Sequence, residues 1–253
     1  MTSKNYLVLI IQARMNSKRF PNKVISDLSG TPLIERILQR VKKVKKIEKI
    51  IIATTKRKED DILVEIAKSN KVEVFRGSEN DLVDRYYQAI KAKNVTHILR
   101  LPGDNPIPDP SEFDRLINYH LKTDNDFSSN IYSFLGNGYP IGIGVEIFTV
   151  KSLKKIWKFE KRKKYREHIA LNFYDYVNDK KNKKFNFKIG TIKCPQQISR
   201  PDLFFHVDCP KDYIFLNKIY EYFLPSKKNF TTKDVIKWYE KIYFKQQTTK
   251  NFV

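Results

Sequence analysis

The chain has 253 residues, of which 41% are apolar and 30% are charged, and its formal net charge is +21. This length suits one folded domain, and no apolar run approaches the roughly 20 residues of a membrane-spanning helix. Cys194 and Cys209 offer neither metal-ligand spacing nor a disulfide framework. We therefore expect a soluble, cytoplasmic protein with no transmembrane segment.

The positive charge has two interpretations. A nucleic-acid-binding protein carries such an excess, but here the excess is mainly lysine, is scattered, and includes no recognition motif. We favour a lysine-rich solvated surface and expect no nucleic acid as partner. The densest cluster, KSLKKIWKFEKRKKYR at 151–166, is also compatible with peripheral contact with acidic lipid.

The first half of the chain alternates predicted strands and helices. Thr31 and Pro32 predict the start of the first helix, and Asp109 with Glu112 predicts a capping-box-like start for the fourth. This order predicts an α/β fold, with a Rossmann-like, mostly parallel sheet and helices on both faces. The predicted strands are 6–12, 49–55, 72–76 and 96–101, and the predicted helices are 32–41, 59–70, 81–93 and 111–121.

The second half is less regular and contains no internal repeat. We expect residues 1–224 to form the main domain, with 124–190 as a small second-half lobe, and 225–253 to form a C-terminal helix and tail. The predicted strands are 126–130, 144–150, 185–193 and 203–208, and the predicted helices are 151–177, 211–223 and 231–244.

Four cations follow the first predicted strand, in the stretch QARMNSKRFPNK. They are Arg14, Lys18, Arg19 and Lys23. Ligands of open parallel sheets bind at the carboxyl ends of the strands, where this loop lies. The loop lacks both the dinucleotide fingerprint and the GKS or GKT phosphate loop. Its cations are suited to neutralising a triphosphate and a leaving pyrophosphate, and a solvated basic loop is the alternative.

Two aspartates follow other apolar segments. Asp104 lies in the rigid loop LPGDNP, and Asp208 ends the last predicted strand. If that strand joins the sheet, both carboxylates lie at one edge and suit Mg²⁺, which binds one or two carboxylates plus phosphate oxygens. The set then indicates transfer at a phosphate. A turn aspartate and a helix cap are the alternatives.

The basic loop also carries a family resemblance, together with seven further segments in chain order: GTPLIERI (30–37), IIIATT (50–55), RGSENDLVDRYYQA (76–89), RLPGDNP (100–106), YPIGIGVEIF (139–148), REH (166–168) and HVDCPKD (206–212). With QARMNSKRFPNK they resemble the CMP-sugar synthetases. These are sugar nucleotidyltransferases of the acylneuraminate and deoxy-octulosonate cytidylyltransferase type, and within them the spore coat polysaccharide biosynthesis protein F group is the nearest. The likeness extends to about residue 224.

The resemblance implies a nucleotide-diphospho-sugar transferase fold and a homodimer. It also implies a Mg²⁺-dependent transfer of CMP from CTP to a sugar-like acceptor, with release of pyrophosphate, for surface polysaccharide or glycoconjugate synthesis. The resemblance implies that Arg14 and Lys23, assisted by Arg19 and Ser17, bind the triphosphate, and that Asp104 and Asp208 bind Mg²⁺. It implies that the base is recognised by the backbone of Gln12 and Ala13 and by the loop of Gly77, Ser78 and Asn80. It also implies that Glu146, Arg166 and His168 bind the acceptor.

The acceptor loop departs from the family pattern Pro-Arg-Gly-Leu-Asp-x-Glu. Ile141 and Gly144 stand where many relatives have the arginine and the aspartate. The identity of the acceptor is therefore not carried over. Two other functions stay open at this stage: a glycosyltransferase of the same fold that consumes a nucleotide sugar, and a basic nucleic-acid-binding protein.

Overall fold

A computed structural model describes residues 6–131 and 134–243. In those ranges the strands are β1 (Leu7–Gln12), β2 (Lys49–Thr55), β3 (Glu73–Gly77), β4 (His97–Pro102), β5 (Phe127–Ser129), β6 (Glu146–Thr149), β7 (Tyr174–Asp175), β8 (Lys180–Lys181) and β9 (Ile189–Gly190). The helices are α1 (Leu33–Val41), α2 (Asp61–Ser69), α3 (Leu82–Ile90), α4 (Pro110–Lys122), α5 (Val150–Phe159), α6 (Lys163–Glu167), α7 (Pro210–Phe223) and α8 (Thr232–Trp238).

Seven strands form the main sheet, in the order β3-β2-β1-β4-β6-β5-β9. The first four strands are mutually parallel, and β6 runs antiparallel to both of its neighbours. Gln12, at the end of β1, pairs with Ala53 on one side and Pro102 on the other. The mostly parallel sheet predicted from the sequence is therefore confirmed. β7 and β8 form a separate two-stranded sheet.

Helices cover both faces of this sheet, as the sequence predicts. Side chains alternate along β1, so that Leu7, Leu9 and Ile11 pack with α1, α2, α4, α7 and α8. Val8 and Ile10 point to the opposite face and pack with α3 and α5. Both faces of the strand are buried, which explains its continuous apolar sequence.

The prediction of a sheet strand at 203–208 is wrong, because this segment does not join the main sheet. Phe204 makes only an isolated bridge with Ile141. The segment instead docks on two loops: Phe205 N donates to Ile141 O at 2.8 Å, and Val207 N donates to Asp104 O at 2.9 Å. Those loops satisfy the backbone groups that a sheet strand would otherwise pair, and they deliver the end of the segment to the edge of the main sheet.

The predicted helix at 151–177 is also wrong in its extent. α5 ends at Phe159, and the chain continues through α6 and a 3₁₀ turn into β7. Glu160 is the reason, because its buried carboxylate accepts hydrogen bonds from the backbone N–H groups of Lys161 and Arg162. A side chain that takes up these donors favours a chain reversal over a further helical turn.

Several boundaries differ from the prediction. Pro32, rather than Thr31, occupies the N-cap position of α1. Asp109 caps α4 through Ser111, whereas Glu112 bonds Tyr139. The strand predicted at 185–193 shortens to β9. The helix predicted at 231–244 consists of α8 followed by a π-helical turn, and its last residue lies outside the described ranges. None of the described helices has both the length and the apolar character needed to cross a bilayer.

Candidate active site

A cleft of about 420 Å³ lies at the carboxyl ends of β1 and β4. It is bordered on one side by the start of α3 and on another by the end of α6. The structure brings together in this cleft ten of the residues singled out from the sequence: Gln12, Ala13, Arg14, Ser17, Lys18, Arg19, Lys23, Asp104, His168 and Asp208.

Lys23 lies at the centre of the polar contacts in the cleft. Its ammonium lies 2.6 Å from Asp104 Oδ2, 2.7 Å from the carbonyl oxygen of Val207 and 3.4 Å from Asp208 Oδ1. The residue is only 9% exposed, so the ion pair with Asp104 is shielded from solvent. One cation from the loop after β1 therefore faces the two carboxylates that the sequence assigns to a metal.

Asp208 is held by contacts on several sides. Arg19 Nη2 lies 2.7 Å from its Oδ1, and His206 Nε2 lies 3.3 Å from its Oδ2. Its backbone N–H donates to Asp212 Oδ2 at 2.8 Å, as does that of Cys209. Burial raises the pKa of Asp212, but these backbone donors outweigh it and leave the pKa below its usual range. The ionised Asp212 thus fixes the turn that presents Asp208.

The loops after β1 and β4 approach each other closely. Gly103 N donates to Gln12 O at 2.8 Å. A Cβ at position 103 would lie 2.8 Å from Gln12 O and 2.9 Å from the Ala13 Cβ, so a side chain there would push the two loops apart. Glycine at this position therefore allows Asp104 to reach Lys23.

The Asp60 carboxylate holds the first part of the basic loop by hydrogen bonds. Its Oδ1 accepts from Met15 N at 2.7 Å, and its other oxygen accepts from the backbone N–H and the hydroxyl of Thr55. Burial raises the pKa of Asp60, but hydrogen bonds from Thr55 and Met15 lower it to below the usual value. The loop that carries Arg14 is thereby tied to the end of β2.

Arg85 lines the cleft and was missed by the sequence analysis. It is only 3% exposed, and it donates to the carbonyl oxygens of Ser78 at 2.7 Å and Glu79 at 3.0 Å. Burial lowers its pKa, and the nearby charge of Arg14 contributes to the shift. The sequence could have indicated this residue, because Arg85 follows Leu82 by three positions and therefore lies on the apolar face of α3, where a cation is unusual.

The loop predicted to recognise the base lies mostly beside the cleft. Gly77, Ser78 and Asn80 are not among its lining residues within the described ranges, whereas Glu79 between them is. Ser78 Oγ accepts from Asp81 N at 3.1 Å and so helps to begin α3. The carbonyl of Glu79 receives Arg14 Nη1 at 3.4 Å, which links this loop to the basic loop.

Two of the residues assigned to the acceptor make other contacts. Glu146 is 1% exposed, and its carboxylate binds Arg100 Nη1 at 2.6 Å and the Tyr176 hydroxyl at 2.8 Å. Arg166 binds Asp81 Oδ2 at 2.6 Å. Neither of them lines the cleft in the described part of the chain, whereas His168 does.

Glu167 is a second cleft residue that the sequence analysis did not assign. It stands between Arg166 and His168 in the quoted REH segment, so the resemblance already placed its neighbours near the acceptor. It is the last residue of α6. The contact of Arg166 with α3 holds this short helix, and the structure thereby brings the side chains of Glu167 and His168 to the cleft.

The two carboxylates of the cleft suit a magnesium ion whose remaining ligands come from water and from a bound substrate. Asp104 and Asp208 both direct an oxygen at one cation, the Lys23 ammonium. Among the described residues, no group of three or more His, Cys, Asp or Glu forms a complete metal site. Two carboxylate oxygens, with water and phosphate oxygens completing the shell, are the ligands that Mg²⁺ prefers.

The chain is similar to several known proteins. A family model described as "Cytidylyltransferase" matches residues 8–232. Uncharacterized protein MJ1063 of Methanocaldococcus jannaschii is 36% identical over 217 residues, which are 86% of this chain and 84% of that protein. Spore coat polysaccharide biosynthesis protein SpsF of Bacillus subtilis is 30% identical over 222 residues, 86% of this chain and 87% of that protein.

Solved structures show the same fold. A cytidylyltransferase from Leptospira borgpetersenii is similar over 94% of this chain and 95% of its own, with a TM-score of 0.82 and 32% identity. A CMP:2-keto-3-deoxy-manno-octonic acid synthetase complexed with CTP covers 86% of this chain and 99% of its own, with a TM-score of 0.63. At 14% identity the second likeness shows the fold alone, which is of the nucleotide-diphospho-sugar transferase type.

Proposed function

Because the chain belongs to the cytidylyltransferase family, a family of nucleotidyltransferases, we propose that it transfers CMP from CTP to a sugar-like acceptor. An oxygen of the acceptor attacks the α-phosphorus, the new oxygen–phosphorus bond forms, and the bond to the leaving pyrophosphate breaks. The name of the Bacillus subtilis relative supports a product used in surface polysaccharide or glycoconjugate synthesis. A cytoplasmic location and a homodimer stay predictions.

One observation carries this proposal: the Lys23 ammonium lies against both Asp104 and Asp208 where β1 and β4 end. Arg14, Lys18 and Arg19 line the same cleft. A cluster of cations next to two convergent carboxylates is suited to a polyphosphate that arrives with a divalent cation. A site for a neutral ligand has no need of either group.

The cations and the carboxylates of the cleft have different roles in this reaction. Arg14 and Arg19 neutralise the β- and γ-phosphate oxygens, where negative charge accumulates as pyrophosphate leaves. Asp104 and Asp208 would hold Mg²⁺, which would supply charge neutralisation at the phosphate and would lower the pKa of an attacking hydroxyl. Lys23 exchanges its carboxylate partners for phosphate oxygens when the nucleotide binds.

The cleft binds both substrates. We assign the base to the backbone of Gln12 and Ala13, with the loop at 77–80 beside them, and the acceptor to Glu167 and His168, which follow the Arg166–Asp81 contact. Holding both substrates in line supplies much of the rate acceleration, because it removes the entropy cost of a bimolecular encounter. The choice of cytosine over other bases comes from the family and not from a side chain of this cleft.

Thermal unfolding with each nucleoside triphosphate tests the proposal without knowledge of the acceptor. CTP at about 100 times its dissociation constant is expected to stabilise the protein by roughly 2.7 kcal/mol, and only with Mg²⁺ present. Asp104→Asn is the matched variant and is expected to need a higher Mg²⁺ concentration for the same stabilisation. Stabilisation by another triphosphate would identify that nucleotide, and not CTP, as the donor substrate. Stabilisation by none of them would contradict the proposal.

Product analysis then identifies the reaction. Candidate sugars are incubated with CTP and Mg²⁺, and pyrophosphate release is measured. Release that depends on the sugar is the expected result. A free nucleoside diphosphate formed from a nucleotide sugar would identify a glycosyltransferase of the same fold instead.

A further inference from the structure

The exposed face of α5 is a stripe of lysines. Lys151, Lys154, Lys155 and Lys158 follow one another at intervals of three, one and three residues, which places them on one side of the helix. All four are exposed, whereas the opposite side buries Leu153 and Ile156 against the sheet. The amphipathic helix thus presents four like charges to the outside.

The helix itself supplies no counter-charge to this stripe, and Asp124, whose carboxylate lies near Lys151, is paired with Lys188 at 2.7 Å. Like charges three and four residues apart destabilise a helix, and α5 contains no acidic residue in its first turn. None of the four lysines makes an ion pair with a described residue. The buried carboxylate of the neighbouring Glu160 is already occupied by Arg162 at 2.7 Å and Lys184 at 2.9 Å.

Further lysines extend the stripe into one surface. Lys155 Nζ reaches the carbonyl of Phe185 at 3.2 Å, and Lys184 reaches Glu160, so the segment before β9 lies beside the end of α5. Hydrogen bonds from Asn178 and the nearby charge of Lys164 lower the pKa of Asp175, which places α6 near the β7–β8 hairpin. We call this surface the basic face: Lys151, Lys154, Lys155, Lys158, Lys161, Lys163, Lys164, Lys180, Lys181, Lys183 and Lys184.

The charge of the protein is concentrated here. Residues 151–188 contain fourteen Lys and Arg against four Asp and Glu, whereas the whole chain has 49 against 28. Nearly half of the net charge of +21 therefore comes from 38 of 253 residues. A local excess of this size creates a positive potential that attracts an extended anionic surface.

Two apolar side chains are exposed in the same stretch of chain as these lysines. Val177, at the tip of the β7–β8 hairpin, is 91% exposed, and Phe159, at the end of α5, is 54% exposed. Phe159 lies next to Lys158, whose ammonium is 5.2 Å from its ring centroid. Lysines around exposed apolar tips are suited to a lipid interface, where the ammonium groups stay at the headgroups and the apolar groups enter below them.

The composition favours a bilayer over RNA. Among the exposed cations of residues 151–184, eleven are lysines and one is an arginine, Arg162, which is paired with Glu160. Ten of these lysines carry no ion pair with a described residue. RNA recognition uses aromatic stacking and arginine, whereas Tyr165, the ring next to the face, is covered by the Arg162 guanidinium at 3.7 Å. No exposed aromatic platform accompanies the lysines in the described residues except Phe159.

We propose that the basic face docks this enzyme on anionic phospholipid bilayers, with Val177 and Phe159 at the level of the headgroups. α6 carries Lys163 and Lys164 of the basic face and also Glu167 of the cleft. Docking therefore holds the acceptor end of the cleft close to the membrane. The inference stands on the surface of the lobe and does not depend on which nucleotide the cleft binds.

Vesicle co-sedimentation of the full-length protein tests the proposal. Vesicles of phosphatidylcholine mixed with phosphatidylglycerol are expected to bind the protein, and pure phosphatidylcholine vesicles are expected to bind at least tenfold less. Raising the salt concentration is expected to release it, because surface charges are screened. The quadruple variant K154Q/K158Q/K163Q/K164Q is expected to lose at least tenfold in binding, since each lysine contributes to the attraction.

A matched control separates this face from net charge alone. K45Q/K56Q/K68Q/K91Q removes the same four charges from exposed positions elsewhere, and it is expected to bind vesicles like the wild type. Val177→Ser changes no charge and is expected to weaken binding at high salt more than at low salt. Equal losses in the two quadruple variants, or no binding to the anionic vesicles, would overturn the proposal. So would RNA that displaces the vesicles and binds the wild type but not K154Q/K158Q/K163Q/K164Q.

Discussion

The Lys23 ammonium lies 2.6 Å from Asp104 Oδ2, although the two residues are 81 positions apart in the chain. Each follows a strand of the parallel sheet, β1 for Lys23 and β4 for Asp104, and these strands are neighbours. The contact joins the basic loop to the carboxylate loop. It also keeps both charges paired until a substrate replaces one of the partners.

Lys23→Met is expected to reduce turnover by roughly 10²–10³-fold, because it removes a cation aimed at the charge that develops on the leaving group. The measurement is pyrophosphate release with saturating substrates. Lys18→Met is the matched control, since Lys18 lines the same cleft without a described ion pair. Similar losses in the two variants would argue against a special role for the buried lysine.

Asp104→Asn keeps the shape of the side chain and removes its charge. The Lys23 ammonium then loses its nearest charged partner, so the free energy of unfolding is expected to fall by about 1–3 kcal/mol. Urea denaturation measures this loss. Asp208→Asn is the comparison, because Asp208 lies 3.4 Å from the ammonium and its loss is expected to matter less for stability. Both variants are expected to need more Mg²⁺ for activity.

Glu146→Gln is expected to lower the free energy of unfolding by about 3–5 kcal/mol, because it leaves Arg100, whose side chain is only 14% exposed, without a counter-charge. Burial lowers the pKa of Arg100, but the charge of Glu146 outweighs burial and raises it. Arg100→Met combined with Glu146→Leu removes both charges and is expected to recover part of the loss. A variant Glu146→Gln of unchanged stability that nevertheless loses the acceptor would instead support the acceptor role predicted from the sequence.

Arg166→Met is expected to raise KM for the acceptor and to lower kcat, with little change in KM for CTP. Arg166 donates to the carbonyl oxygens of Trp157 at 3.0 Å and Glu160 at 2.9 Å and pairs with Asp81. Its loss frees the helix that carries Glu167 and His168, and small misplacements of this kind reduce rates by up to about 10²-fold. Lys163→Met, on the same helix but exposed, is the control and is expected to leave both constants unchanged.

The stabilisation that Glu160 gives to the folded state is expected to depend on pH in the acidic range. Hydrogen bonding from Arg162, aided by Lys184, lowers its pKa from 4.5 to about 2 despite burial. A lowered pKa means that the ionised form stabilises the folded state, so the contribution is complete above pH 4.5 and is lost as the pH falls toward about 2. The difference in melting temperature between wild type and Glu160→Gln is expected to shrink over that interval. A difference that stays constant with pH would contradict the assignment.

The order of strands and helices could be predicted because it depends on local patterns. The apolar run at 6–12 and the alternation of elements up to α4 predicted the parallel sheet and the edge at which ligands bind. The predictions failed where tertiary contacts decide the backbone. The segment at 203–208 has the composition of a strand, but its hydrogen bonds go to Ile141 and Asp104.

The candidate site was predicted unevenly for the same reason. Arg14 and Asp104 lie two residues after the ends of β1 and β4, and Lys23 lies in the loop that follows β1, so their meeting in one cleft is consistent with the parallel order of these strands. Arg85 and Glu167 lie on helices whose placement depends on distant contacts. Arg166 illustrates the difference, because its partner Asp81 is 85 residues away and no local pattern connects the two.

The sequence by itself determined the α/β class, the basic loop after the first strand and the two carboxylates, because each rests on residue types at short spacing along the chain. Only the tertiary structure decided that Lys23 bridges those carboxylates, that Glu146 is buried against Arg100, and that the lysines of α5 form one face with those of the neighbouring segments. These relationships join residues far apart in the chain. They depend on how whole elements pack, since packing sets which side chains share a low-dielectric environment and which remain in water.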